Sequence, residues 1–428
     1  MIWFASVAAV VAVLSPRVTR PAPCTGPGPI VFVRATLLTM DSPALVPDGT
    51  VVVQDGRVTA VNPGSVPAGA CRIDLAGRVL LPGLTDMHVH TAEAELPLFL
   101  ANGVTLIREM NGTPTHLRLR DRIARGEVVG PRMLVASPLM VGAPLQYRHR
   151  LIASPAEAVA AAREVKAAGY DYLKIYEGLS RESYEAFVET AAALGLALDG
   201  HIPAAVGLAR VLETGQALQH IEKIGMAIGG HQGDTTQLGR AAALFAGRRT
   251  WVTPTLAVLR VLDGTRTTEY TDRLEAPEMA WADSASLGWW RSLAGTNPPR
   301  SPSAFYRFQM AVLPVLRAAG ARFLLGTDAA NPLMVAGFSV HDELATLVRD
   351  GGFTPYEALV SATRNVGEFI GDTLQGRLVV GAPADLVAVE SSPLGNLAVL
   401  RRPVGVMANG RWFDRAQLDS MLAASRRR

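Results

Sequence analysis

The sequence predicts an α/β protein, a (β/α)8 TIM-type barrel joined to a small β-sandwich that both chain ends build. Three observations predict it. Between residues 83 and 371, short apolar runs alternate with helix-like stretches at the spacing of a parallel barrel. Both flanks, 30–82 and 372–416, are instead rich in short strands punctuated by Asp55-Gly56 and Asn409-Gly410 turns. The chain has 428 residues, 49% hydrophobic and 18% charged, ample for one large domain plus a smaller one.

Residues 1–29 read as a signal-like segment and linker. Ile2 to Leu14 is an apolar run too short to span a bilayer comfortably and the right size for the hydrophobic part of a secretory signal. Export is the expectation, periplasmic or extracellular, with transient membrane contact through this segment. No Lys or Arg precedes the run, and no small-x-small cleavage site follows it before Arg17 and Arg20, so an N-terminal anchor or a cytoplasmic protein stays open. Cys24 and Cys71 are the only cysteines; an exported chain would allow them to pair, a cytosolic one would keep two thiols.

The sandwich strands are expected at Ile30 to Ala35, Thr50 to Gln54 and Arg57 to Val61. Their counterparts near the other end are Gly376 to Val380, Asp385 to Glu390, Val404 to Ala408 and Arg411 to Phe413, followed by a tail from 417 to 428. Eight barrel strands are expected: the run ending in His88 and His90, Gly103 to Arg108, Arg132 to Ser137, Tyr172 to Tyr176, Ala197 to His201, Ala217 to Ile221, Trp251 to Pro254, and Arg322 to Asp328. Ser154-Pro155-Ala156-Glu157 and Thr354-Pro355-Tyr356-Glu357 mark helix starts, with a capping hydroxyl, proline at the first helical position and glutamate at the third. The stretch from about Leu262 to Phe305 carries Trp281, Trp289 and Trp290 and does not fit a plain barrel. It reads either as a wall of the substrate pocket or as an aromatic helical cap.

Side-chain alternation along a strand puts His88 and His90 on one face, with Val89 turned away. Lys174, His201, His220 and Asp328 follow, each closing a short apolar run. Imidazole and carboxylate are the ligands that zinc-like ions favour. This order resembles the amidohydrolase superfamily, whose metal ligands sit at the C-terminal ends of strands 1, 4, 5, 6 and 8 of a (β/α)8 barrel. The resemblance extends from about Ile30 to Phe413 and is nearest the imidazolonepropionase-like and Xaa-Pro dipeptidase-like branch of metal-dependent hydrolases. It implies metal binding by His88, His90, Lys174, His201, His220 and Asp328.

On that reading His88, His90 and Asp328 hold one divalent ion and His201 and His220 a second, with zinc as the suited metal. Lys174, if neutral, adds carbon dioxide to give a carbamate that bridges both; its alternative is an ordinary ion pair with Asp171 or Glu177. Imidazolonepropionases lack the bridging lysine, and the strand-5 sequence Gly200-His201-Ile202-Pro203 departs from the family pattern, which favours two metals over one and leaves the substrate open. The chemistry implied is hydrolysis by a metal-bound hydroxide, with Asp328 as the catalytic base that passes a proton to the leaving group.

Tyr176 shares the face of Lys174. Arg148 and Arg150 after strand 3 are candidates for a substrate carboxylate, and His231 after strand 6 for a substrate contact. His149 lies in the same loop as the two arginines, and His116 and His341 sit in helix-like surface contexts. The net charge of +3 is dispersed apart from Arg426-Arg427-Arg428, which argues against a nucleic-acid partner. No Gly-x-Ser-x-Gly elbow, Gly-x-x-x-x-Gly-Lys loop or Gly-x-Gly-x-x-Gly fingerprint is present. The leading expectation is a metal-dependent amidohydrolase cleaving an amide, N-acyl or Xaa-Pro-like C–N bond of a small molecule. An esterase or lactonase on the same site, or a barrel that binds without turnover, are the alternatives. Homo-oligomerisation stays open.

Overall fold

The computed structural model describes residues 24, 28–229, 234–264, 268–294 and 303–426, so the apolar segment from Ile2 to Leu14 and His231 lie outside the described residues. The N-terminal strands are β1 (Ile30–Leu38), β2 (Leu45–Gln54), β3 (Arg57–Val61), β4 (Cys71–Asp74) and β5 (Val79–Pro82). The barrel region contributes β6 (Leu84–Val89), β7 (Val104–Glu109), β8 (Arg132–Val135), β9 (Met140–Val141), β10 (Arg150–Leu151), β11 (Tyr172–Ile175), β12 (Ala197–Gly200), β13 (Ala217–Gln219), β14 (Trp251–Thr253) and β15 (Arg322–Phe323). The last three strands are β16 (Leu386–Val389), β17 (Gly405–Ala408) and β18 (Arg411–Asp414).

Strands from both ends form one mixed sheet, in the order β18-β17-β16-β5-β1-β2-β3 with β4 also on β1. β1 changes partner halfway. Its first residues pair with β4 and Thr36 and Leu37 with β5, while the pairing to β2 slips between Phe32 and Ala35. Such a bulge bends a strand, which lets it serve two layers. The far edge turns back as well: Val58 exchanges backbone hydrogen bonds with Gly381 and Ala382, just ahead of β16. The enclosed core includes Phe32, Leu37, Val51 and Trp412, with the Phe32 and Trp412 rings 5.1 Å apart. Cys24 and Cys71 are joined as a disulfide at a Cα–Cα distance of 5.7 Å, which ties the chain ahead of β1 to β4. The strand expected at Gly376 to Val380 is not formed. Those residues make turns, because Gly376 has φ +72° and packs its Cα against the Thr363 carbonyl with no room for a side chain.

All eight barrel strands are present. β6, β7 and β8 run parallel, as do β11 to β15, and single bridges at Ala136–Tyr172 and Val89–Ala329 close the circle. Leu173, Ile175, Leu218, Val252 and Leu325 are fully buried against the surrounding helices, as alternation requires when Lys174 faces inward. The two helix starts form as expected: Ser154 Oγ accepts from Glu157 N at 3.3 Å, and Thr354 and Glu357 make a reciprocal capping box. β9 and β10, unforeseen from sequence, extend the wall beyond the third barrel strand, and Met140 pairs with Ile175 there.

The excursion forms helices Thr268–Leu274 and Ser284–Leu293 with a 3-10 turn at Pro277–Trp281 between them. Trp290 is buried, Trp281 stacks on Phe338, and both belong to a separate apolar cluster with Leu333 and Met334. None of its described residues lines the cavity described below; they pack as an aromatic helical cap. Residues expected as a tail form helix Arg415–Ser425, started by an Asp414–Gln417 capping box and buried through Leu418. Trp281 Nε1 donates to the Leu422 carbonyl at 2.8 Å, tying the cap to this helix.

Candidate active site

Strand ends from around the barrel converge on one mouth. His88 lies on β6, and His90 follows one residue past its end. Their Nε2 atoms are 3.3 and 3.2 Å from Asp328 Oδ1, and His220 Nδ1 is 3.8 Å from Asp328 Oδ2. Donor atoms of His88, His220 and Asp328 all lie within 4.8 Å of one another. The His88 and His220 rings are 4.7 Å apart, and His201 and His220 5.0 Å. His220 and Asp328 have φ values of +64° and +59°, a left-handed conformation that side chains usually avoid and that turns both inward at the ends of their strands.

Lys174 is 1% exposed on β11, and its Nζ has no hydrogen-bond partner. The ion pairs weighed from sequence are taken by others: Asp171 binds Arg120 and the Val135 amide, and Glu177 binds Lys223 and His201. His201 Nε2 is likewise buried without a partner. Two orphaned polar atoms beside three imidazoles and a carboxylate fit a divalent metal, since a bound cation would satisfy the nitrogen lone pairs that the protein leaves unused.

Burial lowers the Lys174 amine to about 8, against opposing pulls from Asp199 and Asp328. Burial also holds His201 at about 3 and His88 and His220 well below the usual imidazole value, so these rings are neutral and ligand-ready. His90, at the cavity lip, differs. Desolvation acts to lower it, but hydrogen bonds to Asp328 and Glu109 prevail and raise it to about 9.

A cavity of about 360 Å³ opens over the cluster and is walled by Asn111, Leu139, Tyr147, Tyr176 and Asn331. The Tyr176 ring lies 4.0 Å from that of His201, and its hydroxyl meets the Tyr147 hydroxyl at 2.7 Å. Arg148 lines a neighbouring groove that shares His90 and Asn111 with the cavity. Arg150 is not at the site: its place on β10 turns it to Glu164, which it binds at 2.5 Å. His149 is held by the Tyr147 carbonyl at 2.7 Å and does not line the cavity. His341, expected at the surface, is buried in helix Ser339–Arg349, and His116 is half-buried with Nε2 3.1 Å from the Thr91 carbonyl.

Sequence reasoning missed the residues behind the ligands. Glu109 is buried 3.4 Å from His90 Nδ1, Gln219 Oε1 is 2.6 Å from His88 Nδ1, Glu177 Oε1 is 3.2 Å from His201 Nδ1, and Thr255 Oγ1 is 2.9 Å from His220 Nδ1. Partners of this kind orient metal-binding imidazoles. Gln219, adjacent to His220 at the end of an apolar run, carried the one local signal available.

Residues 79–413 match the amidohydrolase family. An imidazolonepropionase from Cereibacter sphaeroides is 26% identical over 412 residues, covering 82% of this chain and 90% of the relative. An ochratoxinase from Aspergillus niger is 38% identical over 90 residues, but that match spans only 21% of this chain and 18% of the ochratoxinase. Among solved structures, a bottromycin amidohydrolase superposes with a TM-score of 0.77 at 25% identity, covering 94% of this chain and 91% of its own. A protein from Bifidobacterium longum assigned as a prolidase follows at a TM-score of 0.70 and 25% identity, covering 93% and 99%.

Proposed function

Because this chain belongs to the amidohydrolase family, we propose that the cavity is the active site of a metal-dependent hydrolase that cleaves a C–N bond in a small molecule, of amide, N-acyl or Xaa-Pro-like type. The observation that carries this reading is the pair of buried, unpartnered atoms Lys174 Nζ and His201 Nε2 facing His88, His220 and Asp328. A buried amine with no partner is costly, so its retention points to a ligand role.

His88, His90, His201, His220 and Asp328 would hold two divalent ions, with zinc suited to the donor set and Lys174 bridging as a carbamate. When bound, such ions polarise a scissile carbonyl and bring the pKa of water toward neutrality. Asp328 then accepts the water proton and delivers it to the departing nitrogen, which needs it because an unprotonated amine leaves badly. Its hydrogen bond from His90 Nε2, at 3.2 Å, fixes where Oδ1 sits. Tyr147, Tyr176, Asn111 and Asn331 present polar groups along the wall to orient the substrate, and Leu139 supplies an apolar contact. The likenesses to a bottromycin amidohydrolase and an imidazolonepropionase support a C–N rather than a C–O bond.

The test is a panel of amides, N-acyl amino acids, dipeptides, esters and lactones, assayed before and after removal of metal by a chelator. Turnover of an amide or dipeptide that chelation abolishes and zinc restores is the expected result; unchanged turnover by metal-free protein would refute it. We also propose that the protein is exported. The Cys24–Cys71 disulfide supports this, since such bonds persist in oxidising compartments. Full-length protein found wholly in a reducing cytosol, with both thiols free, would refute it.

A further inference from the structure

Below the candidate ligands, the barrel interior holds a second set of polar side chains that the reaction does not use. Arg108 on β7 is fully buried, with its guanidinium 5.0 Å from the Phe369 ring and 5.2 Å from that of Tyr172. Its Nε donates to the Met87 carbonyl at 2.8 Å and its Nη1 to Asp199 Oδ2 at 2.5 Å. Asp199 on β12 is also fully buried, and its other oxygen, Oδ1, accepts from Gln219 Nε2 at 2.6 Å. Gln219 on β13 gives the same Nε2 a second acceptor, Thr253 Oγ1 on β14 at 3.3 Å, and turns Oε1 to His88 Nδ1 on β6 at 2.6 Å. The chain Arg108–Asp199–Gln219–His88 thus crosses the barrel from a structural ion pair to a candidate metal ligand.

Each link dictates the next. A carboxylate paired with a guanidinium offers only lone pairs, so the Gln219 atom facing Asp199 must be the amide nitrogen. Were the amide flipped, two acceptor oxygens would meet at 2.6 Å. With the nitrogen committed to Asp199, the Gln219 atom facing His88 is the carbonyl oxygen, which can only accept. His88 Nδ1 must therefore carry the hydrogen. The competing tautomer would donate from Nε2 to Asp328, but that contact is 3.3 Å, against 2.6 Å to Gln219, and Asp328 Oδ1 is shared with His90.

We propose that Gln219, locked by Asp199 and Arg108, is a positioning residue that fixes His88 as the Nδ1–H tautomer, so that the Nε2 lone pair is presented to a metal. The inference rests on the metal-dependent reading only in its last clause; the tautomer stands on the hydrogen bonds. It also assigns a role to the buried ion pair beyond holding strands together: Arg108 keeps the Asp199 oxygen on Gln219, and through it the correct nitrogen of His88 toward the site.

The test uses metal-free full-length protein labelled with 15N at histidine, with the His88 resonances assigned by their loss in His88→Ala. Wild type is expected to show His88 protonated at Nδ1 and bare at Nε2; a bare Nδ1 would overturn the proposal without any variant of the network. Gln219→Met keeps the size of the side chain and removes the directed acceptor. It is expected to release His88 into a mixture of tautomers and to weaken zinc binding about 10- to 100-fold, the effect usual for the outer partner of a ligating histidine. A purely structural Gln219 would lower thermal stability yet leave His88 as pure Nδ1–H and zinc affinity unchanged in the folded fraction, which would refute it. If wild type binds no zinc while His88 is Nδ1–H, the tautomer lock stands and the metal reading falls.

Discussion

Two layers of polar side chains, one below the other, fill the barrel with similar burial, and they are finished differently. In the lower layer Arg108, Asp199 and Gln219 engage one another and their neighbours at 2.5 to 3.3 Å. In the upper layer Lys174 Nζ and His201 Nε2 have no partner although equally enclosed. Unmade hydrogen bonds in a buried layer cost stability and persist only where something else repays them. The lower layer is tied together by an ion pair and directed hydrogen bonds, with Arg108 Nη2 its one unpartnered atom among Arg108, Asp199 and Gln219, whereas in the upper layer the Lys174 amine makes no hydrogen bond at all, as the proposed ligand role would require.

The largest expected break in that contrast is Lys174→Ala. Removing the residue proposed to bridge two ions leaves His201 and His220 as too few ligands for one of them, so most bound metal and essentially all turnover are lost. Metal analysis of the purified variant checks this, and a small carboxylic acid is expected to restore part of the activity by taking the vacated space.

Stability should respond in the opposite sense. Arg108→Met strands the buried Asp199 carboxylate and is expected to cost about 3–5 kcal/mol of unfolding free energy in urea. Lys174→Met, measured on metal-free protein, removes an amine that nothing pairs with and should cost none. Equal losses for the two variants would erase the distinction between the layers.

Asp328→Asn keeps the size of the side chain but removes the base, and kcat should fall by at least about a hundredfold, or about 2.7 kcal/mol in barrier. Retained turnover with normal metal content would mean that another group carries the proton.

Apart from both layers stands Glu343, a buried acid on helix Ser339–Arg349. It accepts from the Leu256 and Ala257 amides at 2.9 and 2.7 Å, and burial pushes its carboxyl up to about 8. A folded-state value above the unfolded one means the native chain holds the extra proton. The stability contributed is fully present below about 4.5 and declines as pH rises to about 8. The difference in unfolding free energy between metal-free wild type and Glu343→Ala should show that decline, because Asp86 and Glu222, which burial also raises, and the buried histidines titrate alike in both proteins.

How much of this was legible in the chain follows from the range of each signal. His88 and His90 could be placed on one face because period-two alternation is local, while Lys174 and Asp328 stood at the ends of apolar runs and drew their ligand role from the resemblance to the amidohydrolase superfamily. The eight strands were legible because apolar runs are local too, although the last is laddered only at Arg322–Phe323 and its remaining residues reach Asp328 as single hydrogen bonds. Arg108 and Asp199 were not, since they meet across 91 residues and nothing near either one marks it as half of a pair. Arg150 misled because its loop position suited a carboxylate, while the short ladder of β9 with β10 turned it to Glu164. Gly376 to Val380 read as a strand by composition, yet the left-handed Gly376 makes it a turn.

The central claim, that the upper layer is unfinished because it is a metal site, is tested most directly by titrating metal-free protein with zinc in bicarbonate buffer and then solving the crystal structure of the loaded form. The account predicts two ions per chain, with density for a carbamate continuing from Lys174 Nζ. A single ion beside an unmodified Lys174 would contradict the bridged pair, and no tight binding at all would contradict the reading of the layer itself.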